Sequence, residues 1–297
     1  QILTTKGIAP FAKSLHIFDE IRMLNDSNAF SLVTSSLSII RKLFRTDTII
    51  DWEVYSRLST IFALFTCARN RIGFYREDVK SRKHFSTHLV FFNLFYGSWY
   101  FYECLSELIE ANIPDYSSVR THFLSHYKEA DSKDPEVIKI GIGHRCSDLS
   151  KERMLSKTEW AKVFASKIQT DNKYQVYFFG APNDSSLAQE IINEVSTLNL
   201  PIEFIDRCGK TKLEGSIQEM ISLDEFWAID SALLHYARLV GLKMNTYFGP
   251  TSPQSLIRPI EGLDENIHYK QVPCSPCVHV TETPPCEGNN ICIKNLF

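Results

Sequence analysis

From Ile138 onward, short apolar runs alternate with amphipathic stretches: VIKIGIG, TEWAKVFASKI, VYFFG, SLAQEIINEV and IEFID, then SIQEMIS, FWAID, SALLHYARLVG and KMNTYFG. The apolar runs predict strands, and the stretches between them predict helices. Strand and helix in alternation is the pattern of a parallel sheet with covering helices, so residues 135–297 are predicted to form a doubly wound α/β domain. Upstream, IFDEIRML at 17–24, a Ser-rich helix over 30–44, TIID at 48–51 and a helix over 56–68 predict a second α/β unit within residues 1–130. The polar segment KEADSKDPE, 128–136, contains Pro135 and is the predicted linker. The opening QILTTKG reads as the end of a strand entering a loop, so the first unit is expected to lack its first strand and the loop that follows it.

In open α/β sheets ligands bind beyond the carboxyl ends of the strands, which singles out the loops after each apolar run. In the second half these are GHRCSDLSKER, GAPND, DRCGKTKL, DSALLH and FGPTSP, in that order. Asp230 closes a strand, Ser231 is a good N-cap, and the helix that follows offers free N–H groups and a positive dipole end to an anion such as a diphosphate. The same two residues would also serve simply to cap a structural helix. His235 lies one turn further in, toward either the pocket or the core. Gly249, Pro250, Thr251 and Pro253 form a tight turn directly after a strand, and GKTKL brings Lys210 and Thr211 to the same rim. The glycine spacing before Lys210 is not that of a Walker motif.

Charge and cysteine content narrow the picture further. With 32 basic against 35 acidic residues the net charge is −3, which speaks against a nucleic-acid partner and makes any anion site local. The longest apolar run, LVFFNLFYGSWYFY at 89–102, is shorter than the roughly 20 residues a membrane-crossing helix needs. The stretch before it carries Arg69, Arg71, Arg76, Lys80, Arg82 and Lys83 against Glu77 and Asp78, either a solvated loop or a basic patch for an anionic membrane surface. Cys67, Cys104, Cys146 and Cys208 stand alone, as reduced cysteines of a cytoplasmic protein do. Cys274, Cys277, Cys286 and Cys292 follow a C-x2-C-x8-C-x5-C spacing that suits a structural zinc, with free thiols or an adventitious disulfide as the alternatives.

The order of the loops resembles glycosyltransferase family 9, the ADP-heptose:lipopolysaccharide heptosyltransferases. The run GKTKLEGSIQEMISLDEFWAIDSALLHYARLVGLKMNTYFGPTSP is similar to a family stretch that ends in a D-S-G-x-x-H helix start and an F-G-P-T-x-P turn. VYFFGAPND and DTIIDWEVYSRLSTIFALFTCARNRIGF, with the family's R-x-G-F turn, extend the likeness over most of the chain. The resemblance implies a GT-B fold, two Rossmann-like domains facing a cleft, the C-terminal one holding a nucleotide sugar and the N-terminal one presenting the acceptor. It implies inverting, metal-independent transfer of a sugar, plausibly a heptose, from an ADP-sugar to lipopolysaccharide or another cell-envelope glycan, with no cofactor in the chemistry. A lipid-linked or phosphorylated acceptor would place this cytoplasmic enzyme at the inner face of the membrane.

Carried onto this sequence, the donor site would comprise Asp230, Ser231, His235, Gly249, Pro250 and Thr251, with Lys210 and Thr211 near the nucleotide. The family's Lys in the first loop corresponds best to Arg153, with Lys151 and Lys157 in neighbouring registers. Ala232 stands where the family has Gly, adding a methyl group where backbone approaches the donor. The resembling enzymes take their base from an Asp in the first N-terminal loop, expected to precede Gln1. Asp51 is an available carboxylate at a strand end, where capping is the commoner role. A nucleotide-sugar epimerase of GT-B fold and a non-catalytic sugar-nucleotide-binding protein are the competing readings.

Overall fold

The computed structural model describes residues 1–297 except 94, 130–133, 148–149, 279, 282–283, 285 and 287–288. The chain divides into two compact units: residues 1–114 with 254–258, and residues 115–253 with 259–297.

The first unit runs β1 (Ile2–Thr5), α1 (Ala9–Ser14), β2 (Ile21–Leu24), α2 (Ala29–Lys42), β3 (Thr48–Ile50), α3 (Arg57–Phe65), β4 (Asn70–Tyr75), α4 (Arg82–Phe85), β5 (His88–Phe91) and α5 (Ser98–Leu108). Its strands pair in parallel, in two separate sheets, β1-β2 and β3-β4-β5. Asn28 starts α2 by accepting from Ser31 N at 2.8 Å, and Ser56 starts α3 by accepting from Ser59 N at 3.4 Å. The core is small: Val54, Ile72, Phe74, Phe92, Phe101 and Leu105. The apolar run at 89–102 is divided between β5 and α5, with Gly97 turning the chain. A Cβ there would come within 2.9 Å of the Gln254 carbonyl oxygen.

The second unit runs α6 (Tyr116–Leu124), β6 (Val137–Gly143), α7 (Lys157–Lys167), β7 (Lys173–Phe178), α8 (Ser185–Ser196), β8 (Ile202–Asp206), α9 (Leu213–Met220), β9 (Glu225–Ile229), α10 (Ala232–Val240) and β10 (Lys243–Phe248). The short α11 (Pro253–Leu256) follows, then β11 (Glu265–Tyr269) and α12 (Ile291–Lys294). Six parallel strands form one sheet in the order β8-β7-β6-β9-β10-β11, the doubly wound order that reverses between β6 and β9. The helices seal its faces with Trp160, Phe164, Ile191, Val195 and Ile217, all buried. A reciprocal clasp marks the reversal: Lys139 N donates to Asp224 Oδ2 and Asp224 N to Lys139 O, both at 2.9 Å.

The division between units falls ahead of the predicted linker, of which residues 130–133 lie outside the described residues. The reason is that α6 packs on α10. Tyr116 Oη donates to Arg238 O, Arg120 Nε donates to Val240 O at 2.9 Å, and Phe123 packs against Tyr236. Lys128, the first linker residue, exchanges hydrogen bonds of 2.9 and 3.0 Å with the Gln218 side chain on α9.

Candidate functional site

The reversal between β6 and β9 opens a crevice at the carboxyl ends of these strands, and three loops meet there. Arg153, at the end of the β6 loop, reaches the β9 loop: its Nη1 lies 3.3 Å from Asp230 Oδ2 and 3.2 Å from Asp230 O, while Nη2 donates to Ser147 Oγ at 3.2 Å. Both partners are largely buried, so the guanidinium holds the two loops in fixed relation. Lys151 and Lys157 do not take this place. Lys157 instead pairs with Glu194 on α8.

Ser231 occupies the N-cap of α10 in an extended conformation (φ −158°, ψ 170°), yet its side chain makes no capping bond. Its hydroxyl is buried and has no hydrogen-bond partner among the described residues. Thr251, in the turn after the neighbouring strand β10, is in the same condition. A buried hydroxyl without a partner is costly, so two of them on adjacent strand ends, beside an uncapped helix N-terminus, fit a ligand rich in acceptor oxygens. Ala232 is exposed at the start of α10. His235 keeps solvent access, while the surrounding protein lowers its pKa below the usual histidine value by desolvation and Asp230 pulls the other way.

The turn after β10 is held from outside by the C-terminal segment. Pro250 O accepts from Cys277 N at 3.0 Å and from Val278 N at 3.1 Å, and Gly249 O accepts from Ser275 Oγ. A Cβ on Gly249 would run into the Ile293 side chain, which would have to move, so α12 packs closely on this glycine. Asn290, at the N-cap position of α12, donates through Nδ2 to Glu152 O in the β6 loop. The described residues of this segment therefore form a strap that ties the β6 loop to the β10 loop.

Other sequence candidates lie elsewhere. Lys210 and Thr211 sit beyond the edge strand β8, three strands from β9 and thus roughly 14 Å away at normal sheet spacing. The Thr211 hydroxyl is bonded to Ser216 Oγ at 2.8 Å. Asp51, in the first unit, accepts from Ser59 Oγ and Thr60 Oγ1 at 3.0 Å and from Glu53 N at 3.2 Å, and faces buried Arg82 at 3.8 Å. These contacts are those of a structural cap. All eight cysteines are unbridged. Burial and the nearby Cys286 and Cys274 raise the Cys277 thiol, and burial raises Cys292 to about 11. Among the described residues no group of three or more His, Cys, Asp or Glu is gathered for a metal.

One buried residue was absent from the sequence candidates. His144 directly follows β6 and is fully buried; its Nε2 donates to Asp184 O at 3.1 Å, which leaves Nδ1 as an acceptor without a partner. Burial lowers its pKa, so the ring is neutral near pH 7. Its position at a central strand end was the only signal.

The sequence profile described as glycosyltransferase family 9 (heptosyltransferase) matches residues 56–286, well over half of the chain. The chain belongs to glycosyltransferase family 9. It is a heptosyltransferase-like glycosyltransferase, and its α/β fold is of the family's GT-B class. Among solved structures, ADP-heptose lipopolysaccharide heptosyltransferase II of E. coli shares 14% identity with this glycosyltransferase at a TM-score of 0.61, over 99% of this chain and 88% of that one. The E. coli heptosyltransferase WaaC with ADP shares 13% identity at a TM-score of 0.64, over 89% and 82%. A family 9 glycosyl transferase from Veillonella parvula shares 16% at 0.63, over 86% and 73%. No curated protein sequence matches the glycosyltransferase. None of its helices, among the described residues, is long and apolar enough to cross a membrane.

Proposed function

We propose that the second unit of this glycosyltransferase binds a nucleoside diphosphate sugar, with an ADP-sugar as donor and heptose as the transferred group. The observation that carries this reading is the pair of buried, partnerless hydroxyls of Ser231 and Thr251 beside the uncapped N-terminus of α10. The diphosphate would accept from both hydroxyls and from the first-turn N–H groups, with Arg153 supplying positive charge and Asp230 keeping Arg153 in place. In the E. coli relative WaaC the bound nucleotide is ADP, which supports the choice of base.

The reaction is an in-line displacement. A base removes the proton of the acceptor hydroxyl, the oxygen attacks the anomeric carbon, and the bond to the diphosphate oxygen breaks with inversion. Charge developing on the leaving diphosphate is met by fixed dipoles and by Arg153, the role that a divalent cation fills in other enzymes. Lys210 and Thr211, three strands away, lie toward the nucleoside end of an elongated donor. The acceptor is a phosphorylated or lipid-linked cell-envelope glycan such as lipopolysaccharide, worked on at the inner face of the membrane.

Calorimetric titration with ADP, UDP, GDP and dTDP, without added divalent metal, tests the reading. ADP is expected to bind most tightly, and Ser231→Ala and Thr251→Val each to weaken it by about tenfold or more, the value of a hydrogen bond to a charged group. Neither substitution should lower the thermal midpoint, because each removes a hydroxyl that has no partner in the folded chain. Equal affinity in parent and variants would place the donor elsewhere.

A further inference from the structure

Arg153 and Thr251 are proposed above to meet the donor, and the peptide bond that precedes each of them is gripped by the same C-terminal strap. The Glu152 carbonyl, which shares its peptide with Arg153, accepts from Asn290 Nδ2 at 2.5 Å. The Pro250 carbonyl, which shares its peptide with Thr251, accepts from Cys277 N at 3.0 Å and from Val278 N at 3.1 Å, so both of its lone pairs are filled.

Asn290 is the more informative of these contacts. It occupies the N-cap position of α12, where an Asn side chain ordinarily accepts from the first turn of the helix, and it makes no such bond. Its amide is used on both sides instead: the oxygen accepts from Cys286 Sγ at 2.9 Å, and the nitrogen donates to Glu152 O. The residue is only 6% exposed, so water does not replace either bond. A side chain that forgoes its local cap for a partner 138 residues away is placed for that partner.

What the contact governs is Arg153. Lys151–Arg153 is a single 3-10 turn with little geometry of its own to enforce. The N–H of the Glu152–Arg153 peptide makes only a long bond, 3.4 Å to Ser150 O, so the Asn290 contact is the tighter restraint on that peptide. Turning the peptide would swing the Arg153 guanidinium away from Asp230 and Ser147.

We propose that Asn290 is a positioning residue of the donor site. Through the Glu152 carbonyl it sets the Arg153 guanidinium where the donor diphosphate is to bind, and Cys286 holds its amide in the donating orientation. This rests on the donor-site reading above and adds to it a residue that never touches the donor.

The test is a double-mutant cycle, read by calorimetric titration of the full chain with ADP. Asn290→Ala is expected to lower ADP affinity about fivefold, the value of one neutral hydrogen bond. In an Arg153→Ala background it should have no further effect, whereas in a Thr251→Val background the loss should persist in full. A residue that merely kept the unit packed would cost affinity equally in both backgrounds. Cys286→Ala is expected to reproduce part of the loss, and Cys286→Ser, whose hydroxyl can donate to the same amide oxygen, to restore it. Thermal midpoints report whether each variant is folded; should Asn290→Ala fail to fold, Asn290→Leu keeps the buried volume and removes the same bond. The proposal alone is overturned if Arg153→Ala weakens ADP binding while folded Asn290→Ala binds as the parent does, or if Asn290→Ala costs as much without Arg153 as with it. If Arg153→Ala itself binds ADP as the parent does, the donor-site reading falls and the proposal falls with it.

Discussion

The two units use similar numbers of parallel strands to different ends. In the second, one six-stranded sheet is sealed on its faces, and Trp160, Phe178, Trp227 and Tyr247 are almost wholly buried. In the first, the strands fall into two sheets over a small core, and Phe30, Leu58, Phe65 and Phe95 remain at the surface. The residues proposed to hold the donor diphosphate lie in the second, tightly packed unit. Positioning of that kind needs neighbours that cannot yield.

This contrast can be broken most forcefully at Trp160, which packs between Phe164 and Tyr247. Trp160→Ala is expected to destabilise the second unit by about 3–5 kcal/mol. Hydrogen exchange should show protection lost across β6, β7 and β9 while β3–β5 are unchanged; equal loss in both would mean that they unfold as one body. In the first unit the corresponding weak point is polar. Arg82→Met leaves the Asp51 carboxylate without its cation and the carbonyls of Ser56 and Phe74 without their donor, an expected loss of about 3 kcal/mol confined to α3 and β4.

Acid should separate the units more gently. Burial holds the His144 pKa below its unfolded value of about 6.5, so the unfolded chain takes up the proton first. Stability from this group is complete above that value and falls as the pH drops from it to the folded pKa, by at most about 1.4 kcal/mol per pH unit. His235 and His268, lowered for the same reason, act in the same direction. His144→Gln should therefore reduce, without removing, the pH dependence of the second unit's urea midpoint. The smallest effect is expected at exposed Phe65: Phe65→Ser should change the first unit's stability, read from its urea unfolding, by no more than about 0.5 kcal/mol.

The sheet of the second unit was legible because strands buried on both faces are continuous apolar runs. β11 was not, since ENIHY is an edge strand with few apolar residues. Asp230 and Ser231 were legible as strand end and helix start, but the sequence could not decide between a cap and a ligand. The missing capping bond favours the ligand. The charge count at 69–83 left a solvated loop and a basic patch both open, because the partners of Arg71 and Arg82 are backbone carbonyls, which a sequence does not distinguish. The strap was invisible for another reason: Asn290 reaches Glu152 across 138 residues, and no local pattern records a contact of that range.

The clasp between Lys139 and Asp224 sets a schedule for synthesis. β6 can pair with β7 soon after both emerge from the ribosome, but its other edge must wait for β9, 85 residues later across that clasp. At the usual elongation rate of about 5–20 residues per second, the edge of VIKIGIG stays open for roughly 4–17 s. An unpaired apolar edge is a template for another chain. The crevice thus exists because the two central strands are born far apart, and the same delay makes the nascent chain most vulnerable to aggregation just before its donor site can form.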